Sequence, residues 1–309
     1  MIWKIRGAYT ILLFAACMQR ESTKSSLVSS SYLIDAEELL SIAKVETTRI
    51  LDFRKKEAYK KEHIAGAVNI WRTDIEDSSY VYKGMMASPA QIESVFGNLG
   101  IKTNDVLVIY DDNGLCDASR LWWILQNYNY INVKLLQGGI HAWKTNGGDV
   151  TQENPPIEKT TFKLTRDPEL RYNVSKGEVL KALDHQTVIL DTRTTDEFEG
   201  KYQKKGASKA GRIQNSVNID WSEAIYYNGD RRFKSVEELE KTYSRLNISK
   251  DDPLVVYCHS GVRSAHTFFV LTQLLGYKNV KNYDGSWTEW SYFDDLPFQK
   301  DTLRKHKIK

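Results

Sequence analysis

"VVYCHSGVRSAH", residues 255–266, decides how the rest of the chain is read. A β-branched run climbs to a single cysteine, Cys258; a loop of small residues follows; and "SAHTFFVLTQLLG" beyond it has the length and periodicity of a helix. A strand that passes through a tight loop into a helix turns several backbone N–H groups toward one point, and the helix start adds partial positive charge. Such a cradle favours a thiolate and any anion bound to it. Gly261 lets the loop close without a Cβ.

The same pattern occurs earlier in the chain. Tyr110, Tyr130, Gly138 and Trp143 match Tyr257, Tyr277, Gly285 and Trp290 at a constant offset of 147. Upstream, "ILDFR" (50–54) matches "ILDTR" (189–193), and "HIAGAVNI" (63–70) matches "RIQNSVNI" (212–219). Short Val/Ile-rich runs at 187–190, 254–257 and 279–283 alternate with helical patterns at 235–246 and 264–275. This alternation predicts two α/β domains, each a mainly parallel sheet flanked by helices, with ligands gathered at the carboxyl ends of the strands, where Cys258 lies. The expected division is a leader and tether at 1–31, a first domain at 32–148, a linker at 149–165, a second domain at 166–296 and a polar basic tail at 297–309.

With 309 residues and 41% apolar content the chain can bury a full core, and its net charge of +3 argues against a nucleic-acid partner. Three cysteines in so long a chain do not make a disulfide scaffold, so Cys258 is worth testing as a chemical group. The N-terminus carries a basic "MIWKIRG", a short apolar "AYTILLFAAC" and a polar "MQRESTKSSLVSSS". The apolar stretch is too short to span a membrane and reads as an export signal. Its Ala15-Ala16-Cys17 ending resembles a bacterial lipobox, with Phe14 where that motif prefers leucine. The expectation is a cell-envelope protein, lipid-anchored through Cys17 or periplasmic, with no other membrane contact; the alternative is a poorly ordered cytosolic leader.

"LDFR" and "LDTR", "HIAGAVNI", "CHSGVRSAH" and "YDGSWTEW" together resemble the tandem sulfurtransferases of the rhodanese superfamily, which act on thiosulfate or 3-mercaptopyruvate. The resemblance spans roughly residues 32–296. It implies two rhodanese-like domains with the active cysteine in the second. The chain agrees, because the position matching Cys258 is Asp111 and Cys116 aligns instead with Arg263. The resemblance further implies that the Cys258 thiolate takes a sulfane sulfur from a small-molecule donor, holds it as a persulfide and passes it to cyanide, a small thiol or a protein thiol. Neither a metal nor an organic cofactor is implied.

The N–H groups of His259, Ser260, Gly261, Val262, Arg263 and Ser264 are expected to stabilise the persulfide, with Arg263 meeting an oxygen of the donor. Asp191 and Arg193 are expected to brace the loop, as their counterparts Asp52 and Arg54 would in the silent copy, and Trp287 to pack beside it as a pocket wall. Four residues separate Cys258 from Arg263, one fewer than in phosphatases and arsenate reductases of the related fold, so the loop suits a sulfur atom better than a phosphate. Mercaptopyruvate-using members carry an arginine beside the aromatic residue after the second Asp-x-Arg. Here Phe198 is flanked by Glu197 and Glu199, which are expected to repel a carboxylate unless Lys201, Lys204 and Lys205 screen them, so thiosulfate is the expected donor. The rival reading is a non-turnover persulfide relay or binding module serving one protein partner.

Overall fold

The computed structural model describes residues 29–185 and 187–301; Cys17 and its expected acylation lie outside the described residues. Two α/β units follow one another with the same plan. The first holds strands β1 (Leu33–Ile34), β2 (Thr48–Asp52), β3 (His63–Ile64), β4 (Val68–Asn69), β5 (Val106–Tyr110), β6 (Val133–Leu136) and β7 (Val150–Thr151). The second holds β8 (Asn173–Val174), β9 (Val188–Asp191), β10 (Arg212–Ile213), β11 (Val217–Asn218), β12 (Leu254–Tyr257), β13 (Val280–Tyr283) and β14 (Phe298–Gln299). The main sheets run β1-β6-β5-β2-β4 and β11-β9-β12-β13-β8, each wholly parallel and in equivalent order.

The central strands are β5 and β12, fully apolar runs that helices cover on both faces, as parallel sheets require. Each feeds a loop and then a helix, α1 (Ala118–Asn127) in the first unit and α2 (Val262–Phe269) in the second. All ten residues of α1 are buried, and all but Arg263 in α2. They are buried because the two helices pack on each other: the Trp122 ring meets Phe269 edge-on at 4.8 Å between centroids, and Phe268 at 6.2 Å. One apolar core therefore runs from Leu51 and Phe96 in the first unit through Trp122 and Phe269 to Leu239 in the second. The α2 helix continues from Val270 to Leu274 as a π-helical turn.

Residues 149–165, expected to be a linker, are laid down as part of the first unit. Val150 and Thr151 pair antiparallel with β3, and Phe162 is buried against Phe96 at 5.0 Å.

Candidate active site

Cys258 stands at the carboxyl end of β12 and is 1% exposed. Gly261 caps α2 with φ +73, a left-handed conformation; a Cβ there would meet Arg120 Nη1 at 2.7 Å and the Asp284 carbonyl at 2.8 Å. Burial alone pushes the thiol up, but the Arg263 charge, the hydroxyl and N–H of Ser264 and the N–H of Ser260 overcome it and hold Cys258 below its ordinary value. The thiolate is therefore easier to form than on an ordinary cysteine, which favours nucleophilic chemistry. His259 is kept neutral: burial and the charges of Lys204 and Arg263 pull it down to about 4, and its Nε2 donates to the Lys205 carbonyl at 3.1 Å.

The loop is stapled from behind. The Ser286 hydroxyl accepts the N–H groups of Cys258 (3.1 Å) and Gly261 (3.0 Å) and donates to the Tyr283 carbonyl at 2.8 Å. The N–H groups of Trp287 and Thr288 bond the carbonyls of Cys258 and His259 at 3.0 and 2.9 Å. These donors belong to the first turn of a short helix, Ser286–Trp290, where N–H groups lack intrahelical partners. Trp287 is buried, its Nε1 donating to the Lys209 carbonyl at 2.9 Å, and the Arg193 guanidinium lies 4.8 Å from its ring. The Asp191–Arg193 pair is doubly hydrogen-bonded at 2.6–3.0 Å and nearly inaccessible; Tyr257 donates to Asp191 at 2.6 Å, which ties β9 to the strand that ends in Cys258.

The structure corrects one expectation. Arg263 and Glu197, 66 residues apart, form a two-pronged ion pair at 2.6 and 2.9 Å, both largely buried. Both terminal nitrogens of Arg263 are thus taken by a carboxylate and not presented to a donor. For the same reason Glu197 is no free repelling charge: although burial opposes ionisation, Arg263 holds its carboxyl down at about 2. Glu199 pairs with Lys201. A carboxylate buried this deeply persists because a guanidinium matches it in geometry and charge.

Several participants were not legible in the sequence, and they join the two units. Arg120, on α1, reaches across to the Gly261 carbonyl at 3.4 Å and pairs with Asp284 at 2.5 Å, while also bonding the Gly84 carbonyl at 2.8 Å. Asp284 in turn accepts the Met86 N–H, and Thr288 donates to the Lys83 carbonyl, both across the unit boundary at 2.9 and 2.8 Å. A cavity of about 280 Å³ opens beside the loop, lined by His259, Ser260 and Val262 from one unit and by Arg72, Lys83 and Gly84 from the other. A larger cavity of about 750 Å³ lies over the first unit's loop, lined by Arg72, Asp111, Asn113 and Asp117; the chemistry assigns the smaller one, since the larger faces no nucleophile at the strand end.

In the first unit Asp111 occupies the place of Cys258. Its carboxylate accepts the N–H groups of Asn113, Leu115, Asp117 and Ala118 at 2.8–3.1 Å. Cys116 is buried, and burial raises its thiol well above the ordinary value.

The model of the "Rhodanese-like domain" matches residues 35–146 and again 175–292. A protein of Saccharopolyspora erythraea named "Putative thiosulfate sulfurtransferase" is 34% identical over 249 residues, 78% of this chain and 86% of that one. The SseA protein of Mycobacterium bovis, which bears the same description, is 37% identical over 242 residues, 75% of this chain and 78% of its own. Among solved structures, the anaerobic ergothioneine biosynthesis enzyme from Chlorobium limicola superposes with a TM-score of 0.76 at 21% identity, over 88% of this chain and 71% of that chain. That likeness concerns the fold. With both repeats matched by the family model and relatives above 30% identity along most of its length, the chain belongs to the rhodanese family as a tandem, two-domain member.

Proposed function

We propose that this protein is a sulfurtransferase that moves sulfane sulfur from thiosulfate to a thiophilic acceptor through a persulfide on Cys258. The observation that carries the reading is the convergence of loop N–H groups and a cationic side chain on one buried thiol held below its ordinary value. The thiolate attacks the outer sulfur of thiosulfate; a new S–S bond forms on Cys258, the old one breaks, and its electron pair leaves with sulfite. The terminal sulfur of the persulfide is anionic and lies where the loop donors point. Cyanide or a thiolate then attacks that sulfur, carries it away as thiocyanate or a persulfide, and returns Cys258 as thiolate. The names of the curated relatives support thiosulfate as donor. For the N-terminus we retain export to the cell envelope, with acylation at Cys17, as a proposal from sequence.

Mass measurement tests this directly. Incubation with thiosulfate should add one sulfur, about 32 Da, to the wild type and nothing to Cys258→Ser, and cyanide should remove it with release of thiocyanate. Loading without turnover by cyanide or small thiols would favour the relay reading.

A further inference from the structure

Arg72 from one unit and Lys205, His259 and Ser260 from the other line the cavity beside Cys258, and Arg263, Lys204 and Arg72 bring positive charge toward its sulfur. Arg263 spends both terminal nitrogens on Glu197. Arg72 begins a 3-10 turn, Arg72–Ile75, and is held by Asp117 through Nε and Nη2, with its guanidinium 5.3 Å from the Trp71 ring. Its Nη1 has no partner among the described residues, its side chain is 37% exposed, and it lines the cavity that His259 and Ser260 line from the opposite unit.

Lys204 makes no side-chain hydrogen bond or ion pair among the described residues. Its loop is nonetheless fixed: the Lys205 carbonyl takes the His259 ring at 3.1 Å, Ser208 N–H bonds Ser291 Oγ at 3.0 Å, and the Lys209 carbonyl takes Trp287 Nε1 at 2.9 Å. Of the carboxylates nearby, Glu197 is answered by Arg263, Asp117 by Arg72, and Glu76 on the cavity wall is faced by Lys83 at 3.8 Å. Lys204 and its neighbour Lys205, which lines the cavity, are therefore the lysines of this loop without an ion pair among the described residues, and Arg72 keeps its Nη1 free.

We infer that the donor's anionic group is clamped across the domain boundary, between Nη1 of Arg72 and the Lys204–Lys205 pair, so that the catalytically silent domain supplies half of the donor site. This rests on the sulfurtransferase reading. Clamping charges from different domains suit a compact dianion such as thiosulfate, whose charged end must be held while its outer sulfur faces Cys258. They also explain why Arg263 can be committed to Glu197 without leaving the donor unrecognised.

The test reads local charge separately from turnover. In the full chain carrying Cys116→Ser, Cys258 is alkylated with iodoacetate and with iodoacetamide, and thiosulfate kinetics are measured in parallel. The double variant Lys204→Gln with Lys205→Gln, and Arg72→Gln alone, should each lower the iodoacetate-to-iodoacetamide rate ratio by about five- to tenfold and raise KM for thiosulfate by a similar factor, with kcat changed less than about twofold. Arg72→Lys should restore most of the ratio, which separates lost charge from a perturbed fold. An unchanged ratio in either glutamine variant overturns the clamp. A wild type with the expected ratios that never consumes thiosulfate overturns the sulfurtransferase reading instead and leaves the anion clamp standing.

Discussion

The loops 111–118 and 258–265 are the same backbone device with different occupants. In the second, inward N–H groups of Ser260 and Ser264 face a thiol. In the first, the matching N–H groups of Asn113 and Asp117, with Leu115 and Ala118, are consumed by the Asp111 carboxylate two to seven residues away. Asp111 is an internal anion that permanently fills the place a bound sulfur would take. It does so at a cost, since burial and the nearby Asp117 push it up to about 6 despite those N–H bonds. The bracing is copied in both domains: Asp52, Arg54 and Tyr110 repeat the contacts of Asp191, Arg193 and Tyr257. A cradle for anions therefore does not make a catalyst; its occupant does.

The sharpest way to break this comparison is Cys258→Ser, which keeps the cradle and removes the carrier. Turnover should fall by at least about 1000-fold, with the thermal midpoint nearly unchanged, because a hydroxyl cannot hold a transferable sulfur. Cys116→Ser should stay within about twofold of wild type. Next in size is Asp111→Ala, which leaves four inward N–H groups without an acceptor. Stability to urea should drop by about 2–4 kcal/mol. If instead the variant is as stable as wild type, the carboxylate is not what holds the silent loop.

Arg263→Ala probes what the silent loop lacks, a cation in place of Cys116. The Cys258 thiol should titrate higher and its alkylation by iodoacetamide at neutral pH should slow by about tenfold, while Arg263→Lys recovers part of the loss. An unshifted pH profile would remove Arg263 from the account of the thiolate.

The two domains can also be set against each other by acid. His266, on α2, is buried, and burial holds it down to about 3, its Nε2 meeting the Gly114 carbonyl of the silent loop at 3.1 Å. Its folded value lies below the ordinary 6.5, so its contribution is fully present above that pH and is lost as pH falls, by about 1.4 kcal/mol per unit. Asp111 acts with the opposite sign, losing stability as pH rises from 3.8 through about 6. The two slopes oppose each other between about pH 4 and 6. Asp111→Asn should therefore steepen the loss of stability on acidification in that window, and His266→Gln should reverse its slope, as urea midpoints at several pH values would show.

The fold was legible because a repeat at constant offset exposes both copies of a strand-loop-helix unit, and β5 and β12 fall where the Val/Ile runs stand. Cys258, Gly261 and the aspartate-arginine braces were legible because each is set by contacts close along the chain or copied between repeats. Arg72, Arg120 and Ser286 were not, since their partners lie on distant segments; Arg120 and Gly261 are 141 residues apart. The pairing of Arg263 with Glu197 was hidden for the same reason, and both residues were read as free charges. Ser286 left one usable trace. Its counterpart at the 147 offset is Gly139, and both adopt positive φ, at 50 and 56. In the silent domain a Cβ at Gly139 would collide with the Asp111 carbonyl at 2.0 Å, so only the copy with the cysteine can carry a stapling hydroxyl there.

The shared seam between α1 and α2 has a consequence for how this duplication can change. Phe268, Phe269 and Trp122 are almost wholly buried, and their rings meet across the boundary between the copies. A second domain released alone would meet water with the apolar face that Phe268 and Phe269 form, beside a Gly261 turn no longer held by Arg120. The copy without the nucleophile thus covers the apolar face of the other, and the pair should melt as one calorimetric unit although the sequence spells two.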